Sequence, residues 1–283
     1  MSTLDHKIDF AVVLSVTKAN PNGDPLNGNR PRQNYDGYGE ISDVAIKRKI
    51  RNRLQDMGEK IFVQSDDRRT DSYNSLRERA EAHPELAKML KAKNTSVEEF
   101  TKIACKEWID VRSFGQVFAF KTNSVSIGIR GPVSIHAATS IDPIDIVSIQ
   151  ITKSVNSEPK ETRSSDTMGM KHRVDFGLYV FKGSINTQLA EKTGFTNEDA
   201  EKIKQALMTL FENDSSSARP EGSMEVHKVY WWKHNSKLGQ YSSAKVHRSL
   251  KIKSLTEQPR SFEDYEISLE QLDGLQVEVI DGI

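Results

Sequence analysis

The sequence predicts an α+β fold of the split βαβ type, and three features predict it. An apolar run rich in Val, Ile8 to Val16, opens the chain as a buried strand; helical periodicity recurs twice, after Ser42 and after Thr196; and short strand-like segments lie between and beyond the two helices. Stripped of insertions, the order is strand, helix, strands, helix, strand. The 283 residues allow one large domain or two small ones.

The first strand has no Gly or Pro and feeds Lys18 to Glu40, where twelve of twenty-three residues are Asn, Pro or Gly, the composition of a long structured loop. Ser42 or Asp43 then caps a helix with Ile46, Ile50, Leu54 and Met57 at helical spacing. Gly58 to Asp110 is polar and mostly helical, with a capping box at Ser96 and Glu99, and reads as an insertion. From Val111 short strands are expected at Gln116 to Phe120, Ser124 to Ile129 and Ile144 to Thr152. Polar Lys153 to Thr167 separates these from a strand at Val174 to Phe181. Thr196 caps the clearest helix, whose Ala200, Ile203, Leu207, Leu210 and Phe211 share a face. Strands are expected at Met224 to Trp232, Ala244 to Ile252 and Leu275 to Ile280, with Tyr230, Trp231 and Trp232 read as strand rather than partner surface.

Composition narrows the function classes. Hydrophobic residues make up 36% and charged residues 28%, the balance of a soluble globular chain. No uncharged stretch reaches the roughly 20 residues that span a bilayer, and Asp5 and Asp9 occupy the place of a secretory signal, so a cytoplasmic protein without membrane contact is expected. Cys105 is the single cysteine, which excludes an internal disulfide and a thiolate zinc site. No metal or cofactor is expected. Forty basic and forty acidic residues cancel, but unevenly along the chain. Val226 to Thr256 holds seven Lys and Arg and no acid; Glu257 to Ile283 holds eight acids and only Arg260. Such blocks either stack copies head to tail or neutralise each other within one fold.

Chemistry concentrates in three places. Lys47, Arg48, Lys49, Arg51 and Arg53 put five cations on the first helix, on faces away from the apolar stripe, where they form a solvated surface or a polyanion contact. In the loop, glycines admit close backbone approach, and Asn20, Asn22, Asn27, Arg30 and Arg32 supply amides and guanidinium groups suited to phosphate or ribose. Third, Arg163 to Gly177 sets flexible Met168 and Met170 beside Lys171, His172 and Arg173, a wedge with phosphate-holding cations. His136, His172, His227, His234 and His247, with Asp24 and Asp166, form no spacing that marks a general acid and base, so no catalytic residue is expected.

Five motifs then occur in one order: Asn20-Pro21-Asn22-Gly23-Asp24-Pro25, Asp43-Val44-Ala45-Ile46-Lys47-Arg48-Lys49-Ile50-Arg51, Asp110-Val111-Arg112-Ser113-Phe114-Gly115, Arg130-Gly131-Pro132-Val133 and Met168-Gly169-Met170-Lys171. From about Phe10 to Ile280 the chain resembles the repeated backbone subunit of the type I-C CRISPR surveillance complex, Cascade, in the repeat-associated mysterious protein (RAMP) superfamily. The resemblance implies a modified RNA-recognition-motif (ferredoxin-like) palm over 1–57 and 111–283, helical fingers over 58–110 and a thumb hairpin at about 153–168. It implies a non-catalytic protein that polymerises along CRISPR guide RNA, without reading its sequence, and presents the guide for pairing with target DNA. Its partners would be the guide RNA, the target strand, stacked copies of itself and other Cascade subunits. By motif, Asn20, Asn22, Lys47, Arg48 and Arg51 would contact phosphates and riboses, Arg112, Phe114 and Arg130 would line the palm, and Met168, Lys171 and Arg173 would sit at the base of the thumb. The late glycine-rich loop of many superfamily members is missing. An endoribonuclease of the same superfamily, or a scaffold that binds no nucleic acid, are the rival classes.

Overall fold

The computed structural model describes residues 2–92, 94–120, 126–152 and 168–283. Strand β1 (Ile8–Ala19) leads through a small ribbon, β2 (Gly23–Asp24) and β3 (Arg30–Pro31), to β4 (Tyr38–Ile41) and helix α1 (Asp43–Asp56). The insertion carries α2 (Leu76–Ala82), α3 (Pro84–Lys91), α4 (Val97–Glu107) and α5 (Ile109–Phe114), then β5 (Gly115–Ala119) paired with β6 (Ser126–Arg130). There follow β7 (Val133–Ile135), β8 (Ala138–Pro143), β9 (Ile146–Thr152), β10 (Met168–Ile185), α6 (Thr187–Thr193) and α7 (Asn197–Met208). The chain closes with β11 (Met224–Lys233), α8 (Ser243–Ser249), β12 (Leu250–Ser254), β13 (Tyr265–Leu269) and β14 (Gln276–Asp281). No helix is long and apolar enough to cross a membrane, among the described residues.

The main sheet is antiparallel in the order β14-β11-β1-β10-β8-β4, with β7 and β9 also paired to β10. β1 lies at its centre and is covered on both faces, which is why its sequence is a near-continuous apolar run rather than an alternation. Phe10, Val12, Leu14 and Val16 enter a core closed by Ile46, Ile50 and Leu54 of α1 and Ala200, Ile203 and Leu207 of α7. Ala11 and Val13 face the opposite core with Val246 of α8. The aromatic run of β11 divides the same way: Trp231 joins the helix side, Tyr230 and Trp232 the other, so all three are core residues. At the start of β1, fully buried Asp9 accepts from His234 Nε2 at 2.8 Å and Lys7 Nζ at 3.1 Å. Burial raises the pKa of this carboxyl, but the His234 and Lys7 donors outweigh it and hold the carboxyl below its ordinary value.

Two expectations are corrected. Val111 to Phe114 belongs to helix α5, because Asp110 and Val111 turn inward to separate buried partners. Ala244 to Ser249 is helix, capped by the Ser242 hydroxyl accepting from Lys245 N–H, and only β12 is strand. Phe62, Leu86, Phe100 and Trp108 share a hydrophobic cluster with Phe118, Ile127 and Ile129. Of the expected thumb at about 153–168, residues 153–167 lie outside the described residues.

The charge blocks answer each other within the chain. The basic block supplies β11 and β12, and the acidic block supplies their partners β14 and β13. Lys228 stands opposite Asp281 and is ion-paired to it, Lys253 stands opposite Glu266, and Lys251 Nζ lies 3.9 Å from Glu270. The separated signs of the sequence are cross-strand complementarity in the fold.

The insertion is fastened to the sheet domain by one carboxylate and two glycines. Asp110, 1% exposed, accepts from Phe62 N–H at 2.7 Å, Val63 N–H at 3.0 Å and Arg51 Nε at 3.0 Å. Beside it Gly115 pairs with Arg130, and a Cβ on Gly115 would fall 2.2 Å from the Ile129 carbonyl oxygen, while one on Gly131 would fall 2.3 Å from that of Ser113. Replacing Asp110 with Ala strands a largely buried guanidinium, the buried Phe62 amide and the part-buried Val63 amide, so Asp110→Ala should lose about 3–5 kcal/mol of stability in urea unfolding. A loss below about 1 kcal/mol would show that the joint does not depend on this carboxylate.

Candidate nucleic-acid interface

The loop after β1 is built by its own asparagines. Asn20 is buried; its Nδ2 donates to the Asn29 carbonyl at 2.7 Å and its backbone N–H to Ala218 at 2.9 Å. Asn22 Oδ1 accepts from Ser42 N–H at 2.9 Å, which ties the loop to the residue that caps α1. Asp24 accepts from Leu26 N–H at 3.2 Å and starts a 3-10 turn that leaves Leu26 and Asn27 exposed. Arg30 Nη1 donates to Ser148 Oγ on β9 at 2.9 Å, and Arg32 lies 3.7 Å from Asp24. Asn20 and Asn22 therefore shape the loop with their side chains, while Asn27 and the edges of Arg30 and Arg32 face outward.

The five cations of α1 are not equivalent. Lys47 pairs with Asp43 at 2.9 Å, one turn back. Arg51 serves Asp110 and lies over the Phe114 ring at 5.1 Å, and Arg53 bonds Thr209 at 3.0 Å and Asp56 at 2.7 Å. Lys49, expected on a face away from the core, is 5% exposed: it is ion-paired to Asp214 and sits over Phe211. Burial drives its pKa down to about 8, against the upward pull of Asp214. Arg48 bonds the Val63 carbonyl at 2.6 Å and is the one α1 cation without a carboxylate partner among the described residues.

What α1 presents outward is a cleft. Its N-terminal half, the 65–68 segment and the 213–219 loop enclose about 380 Å³ lined by Asn22, Gly23, Arg48, Lys49, Arg68 and Arg219 among others. Arg68 is held by Asp56 at 3.0 Å and the Asn213 carbonyl at 3.1 Å, and Arg219 by Asp214 at 3.0 Å. Sequence reasoning missed both arginines. Each sits in a Ser- and Asp-rich segment outside the motifs, Arg219 far from the α1 cations in sequence, and the folding of α7 against α1 brings the two segments together.

The remaining motif residues separate into two kinds. Arg112 is fixed by a bidentate pair with Asp199 at 2.7 and 3.0 Å and by the Cys105 carbonyl at 3.3 Å, and Phe114 lies under Arg51. These hold α5 to α7 and α1. Arg130 is exposed at the end of β6. The β9–β10 ribbon carries Met168 (64% exposed), Met170 (55% exposed) and Lys171 outward, with Arg173 half-buried at its base. Met168, Met170 and His172 share one face with Ser148, so Arg30 from the loop reaches that face. Arg163 lies outside the described residues. The histidines serve as local partners: His227 to Ser15, His234 to Asp9, His247 to the Gly183 carbonyl and His172 to Ser148. Among the described residues no group of His, Cys, Asp and Glu could hold a metal ion.

Comparison with known proteins gives a family. Residues 6–270 match the family model for CRISPR-associated protein Cas7. A "CRISPR-associated protein Cas7" of Haloferax volcanii is 26% identical over 233 residues, covering 77% of this chain and 67% of that protein. Two solved chains overlap more loosely. One, from a "CRISPR RNA-guided surveillance complex, pre-nicking", has a TM-score of 0.49 at 16% identity, covering 80% of this chain and 78% of its own. Another, from a "CRISPR RNA-guided surveillance complex", has a TM-score of 0.42 at 16% identity, covering 80% and 68%.

Lys49 gives the cleft a measurable proton linkage. Its folded-state pKa, about 8, lies below the ordinary lysine value of 10.5, so folding disfavours its charged form. That penalty is present in full below pH 8 and is relieved as pH rises toward 10.5, where the unfolded chain binds the extra proton. Stability of the wild type relative to Lys49→Met should therefore increase across this interval by about 2–3 kcal/mol, read from paired urea titrations. A flat difference would mean that Lys49 titrates normally.

Proposed function

Because the chain belongs to the CRISPR-associated protein Cas7 family, we propose that it is a non-catalytic guide-RNA-binding subunit that polymerises along CRISPR RNA. In this reading it forms the backbone of a cytoplasmic type I-C Cascade complex and presents the guide for pairing with target DNA. The observation that carries the reading is the cleft at the N-terminal end of α1. Arg48, Arg68 and Arg219 converge there with Asn22 and the Gly23 backbone, a set suited to phosphate and ribose. A coat for any guide must ignore base sequence, and this set offers no array of groups for base edges.

The rest of the fold takes roles around that cleft. β11-β1-β10-β8, backed by α1 and α7, serves as the RNA-recognition-like palm. The second core, 58–130, serves as the fingers. Lys47 and Arg48 hold guide phosphates. Asn20 and Asn22 act through the loop they shape, and Arg51 and Arg112 through the joint that sets α1 and α5. Arg30, Arg32, Asn27 and Arg130 are outward donors. Met168, Met170, Lys171 and Arg173 form the root of a thumb continuing through Arg163, with exposed methionines able to wedge between bases. Stacked copies and other Cascade subunits complete the assembly.

Lys47→Ala/Arg48→Ala should weaken binding of single-stranded RNA by about tenfold whatever its sequence, and lower the salt slope by roughly 0.7 for each phosphate no longer neutralised. Melting should change little, because neither side chain enters the core. Unchanged affinity with an unchanged slope would falsify the phosphate role. Incubation of the wild type with labelled RNA discriminates the endoribonuclease alternative, which requires discrete cleavage products.

The ribbon has its own test. Met168→Ser/Met170→Ser removes two exposed thioethers and should leave the melting curve in place. Chemical probing of the assembled guide should lose its periodic reactive positions. Retention of that periodicity would assign base displacement to another segment.

A further inference from the structure

A second cationic cleft lies at the other end of the palm helices. Lys202 pairs with Glu59, Arg53 bonds Thr209 and Lys49 pairs with Asp214, so α1 and α7 run antiparallel. The N-terminus of α7 therefore sits by the C-terminus of α1, beyond the Ala45 to Asn52 stretch of the helix that lines the cleft described above. There α4 of the insertion faces α6 and the start of α7 across a cavity of about 570 Å³.

The charges lining this cavity are unbalanced. Arg112, Lys202, Lys102, Lys106 and Lys192 stand against Asp199, Glu98 and Glu191, five cations to three carboxylates. Two of those carboxylates are already taken: Asp199 by Arg112, and Glu191 by Lys237 on its outer side. Lys202 is satisfied by Glu59 and Glu198. Lys102, Lys106 and Lys192 lie in no ion pair among the described residues. Lys102 and Lys106 are one turn apart on α4, so like charges stand at a spacing that costs helix stability unless an anion relieves it. The floor is inert. Burial pushes the Cys105 thiol up to about 12, which removes a thiolate from consideration.

We propose that this cleft is a second phosphate-binding site, separate from the guide path, in which Lys102, Lys106 and Lys192 hold a phosphate-bearing anion. A concave wall focuses the field of the three free ammonium groups, and lysine binds phosphate as a mobile point charge. The volume suits a nucleotide unit rather than an inorganic ion alone. Two sources share the chemistry: the backbone of a second nucleic-acid strand, and a free nucleotide. Among the described residues the lining offers no aromatic ring for stacking, so phosphate rather than base is the group recognised.

The full chain, saturated with single-stranded RNA so that the first cleft is filled, is titrated with fluorescein-labelled duplex DNA and, separately, with a fluorescent ATP analogue. Lys102→Gln/Lys106→Gln/Lys192→Gln should weaken one or both probes by about tenfold or more, and reduce the duplex salt slope by up to roughly 0.9 for each phosphate no longer neutralised. Its RNA loading should stay within about twofold of wild type. Weakening of the duplex alone assigns a strand backbone; weakening of the nucleotide alone assigns a free nucleotide; weakening of both leaves either source and still supports the site. The inference is overturned if neither probe weakens, or if RNA loading falls in parallel with them, since the lysines would then belong to the guide path. Lys47→Ala/Arg48→Ala is the converse control and should lose RNA while keeping the second-site probe. If the triple variant melts early, Lys192→Gln alone, on exposed α6 surface, carries the same comparison with a smaller loss.

Discussion

The buried Asp110 carboxylate is the constraint on which the arrangement of this molecule depends. Its two oxygens accept three N–H donors, and those donors come from different parts of the fold: Arg51 from α1, and Phe62 and Val63 from the first residues of the insertion. A charge at 1% exposure is tolerable only when fully hydrogen-bonded, so the three partners are held together or not at all. The neighbouring glycines enforce the same joint by sterics, because Gly115 and Gly131 lie where any side chain would strike main-chain carbonyls. Two ordered motifs of the sequence are thereby accounted for by packing. Their placement fixes the helix that bears Arg48.

Electrostatic economy follows from that joint. Most cations that look free in the sequence are engaged within the chain, Lys49 with Asp214, Arg51 with Asp110, Arg112 with Asp199, and the late basic block with the acidic block across two strand pairs. A chain with forty charges of each sign can thus leave positive positions uncompensated in concave surfaces without becoming a polycation. The α1 cleft and the α4–α6 cleft are two such surfaces, at opposite ends of one antiparallel helix pair.

The core is organised by β1. Its alternate residues feed two cores of different character, helices on one face and the α8–β12–β13 layer on the other. The insertion brings a third core of its own, in which Phe62, Phe100, Phe118 and Trp108 pack with ring centroids 4.7–5.0 Å apart. Aromatic packing lets so polar a segment stand as a unit.

By itself the sequence determined the elements whose signals are local. The apolar run of β1, the stripes of α1 and α7, the Thr196 cap and the mixed α+β character are all legible, because hydrophobic period and capping chemistry act over a few residues. The cations of the interface were legible as residues but not as roles. Whether Lys49 faces solvent or Asp214, and whether Arg51 serves a partner or Asp110, depends on groups 59 to 165 positions away. Such distance also hid Arg219, and only the pairing of strands decided that the opposite charge blocks meet within one chain. Helix α8 was misread as strand, and the end of α5 was placed short, because short segments with partly alternating apolar residues fit either period and burial partners decide between them. Tertiary structure alone could choose, since a side chain's chemistry is fixed by the chain but its partner is fixed by the fold.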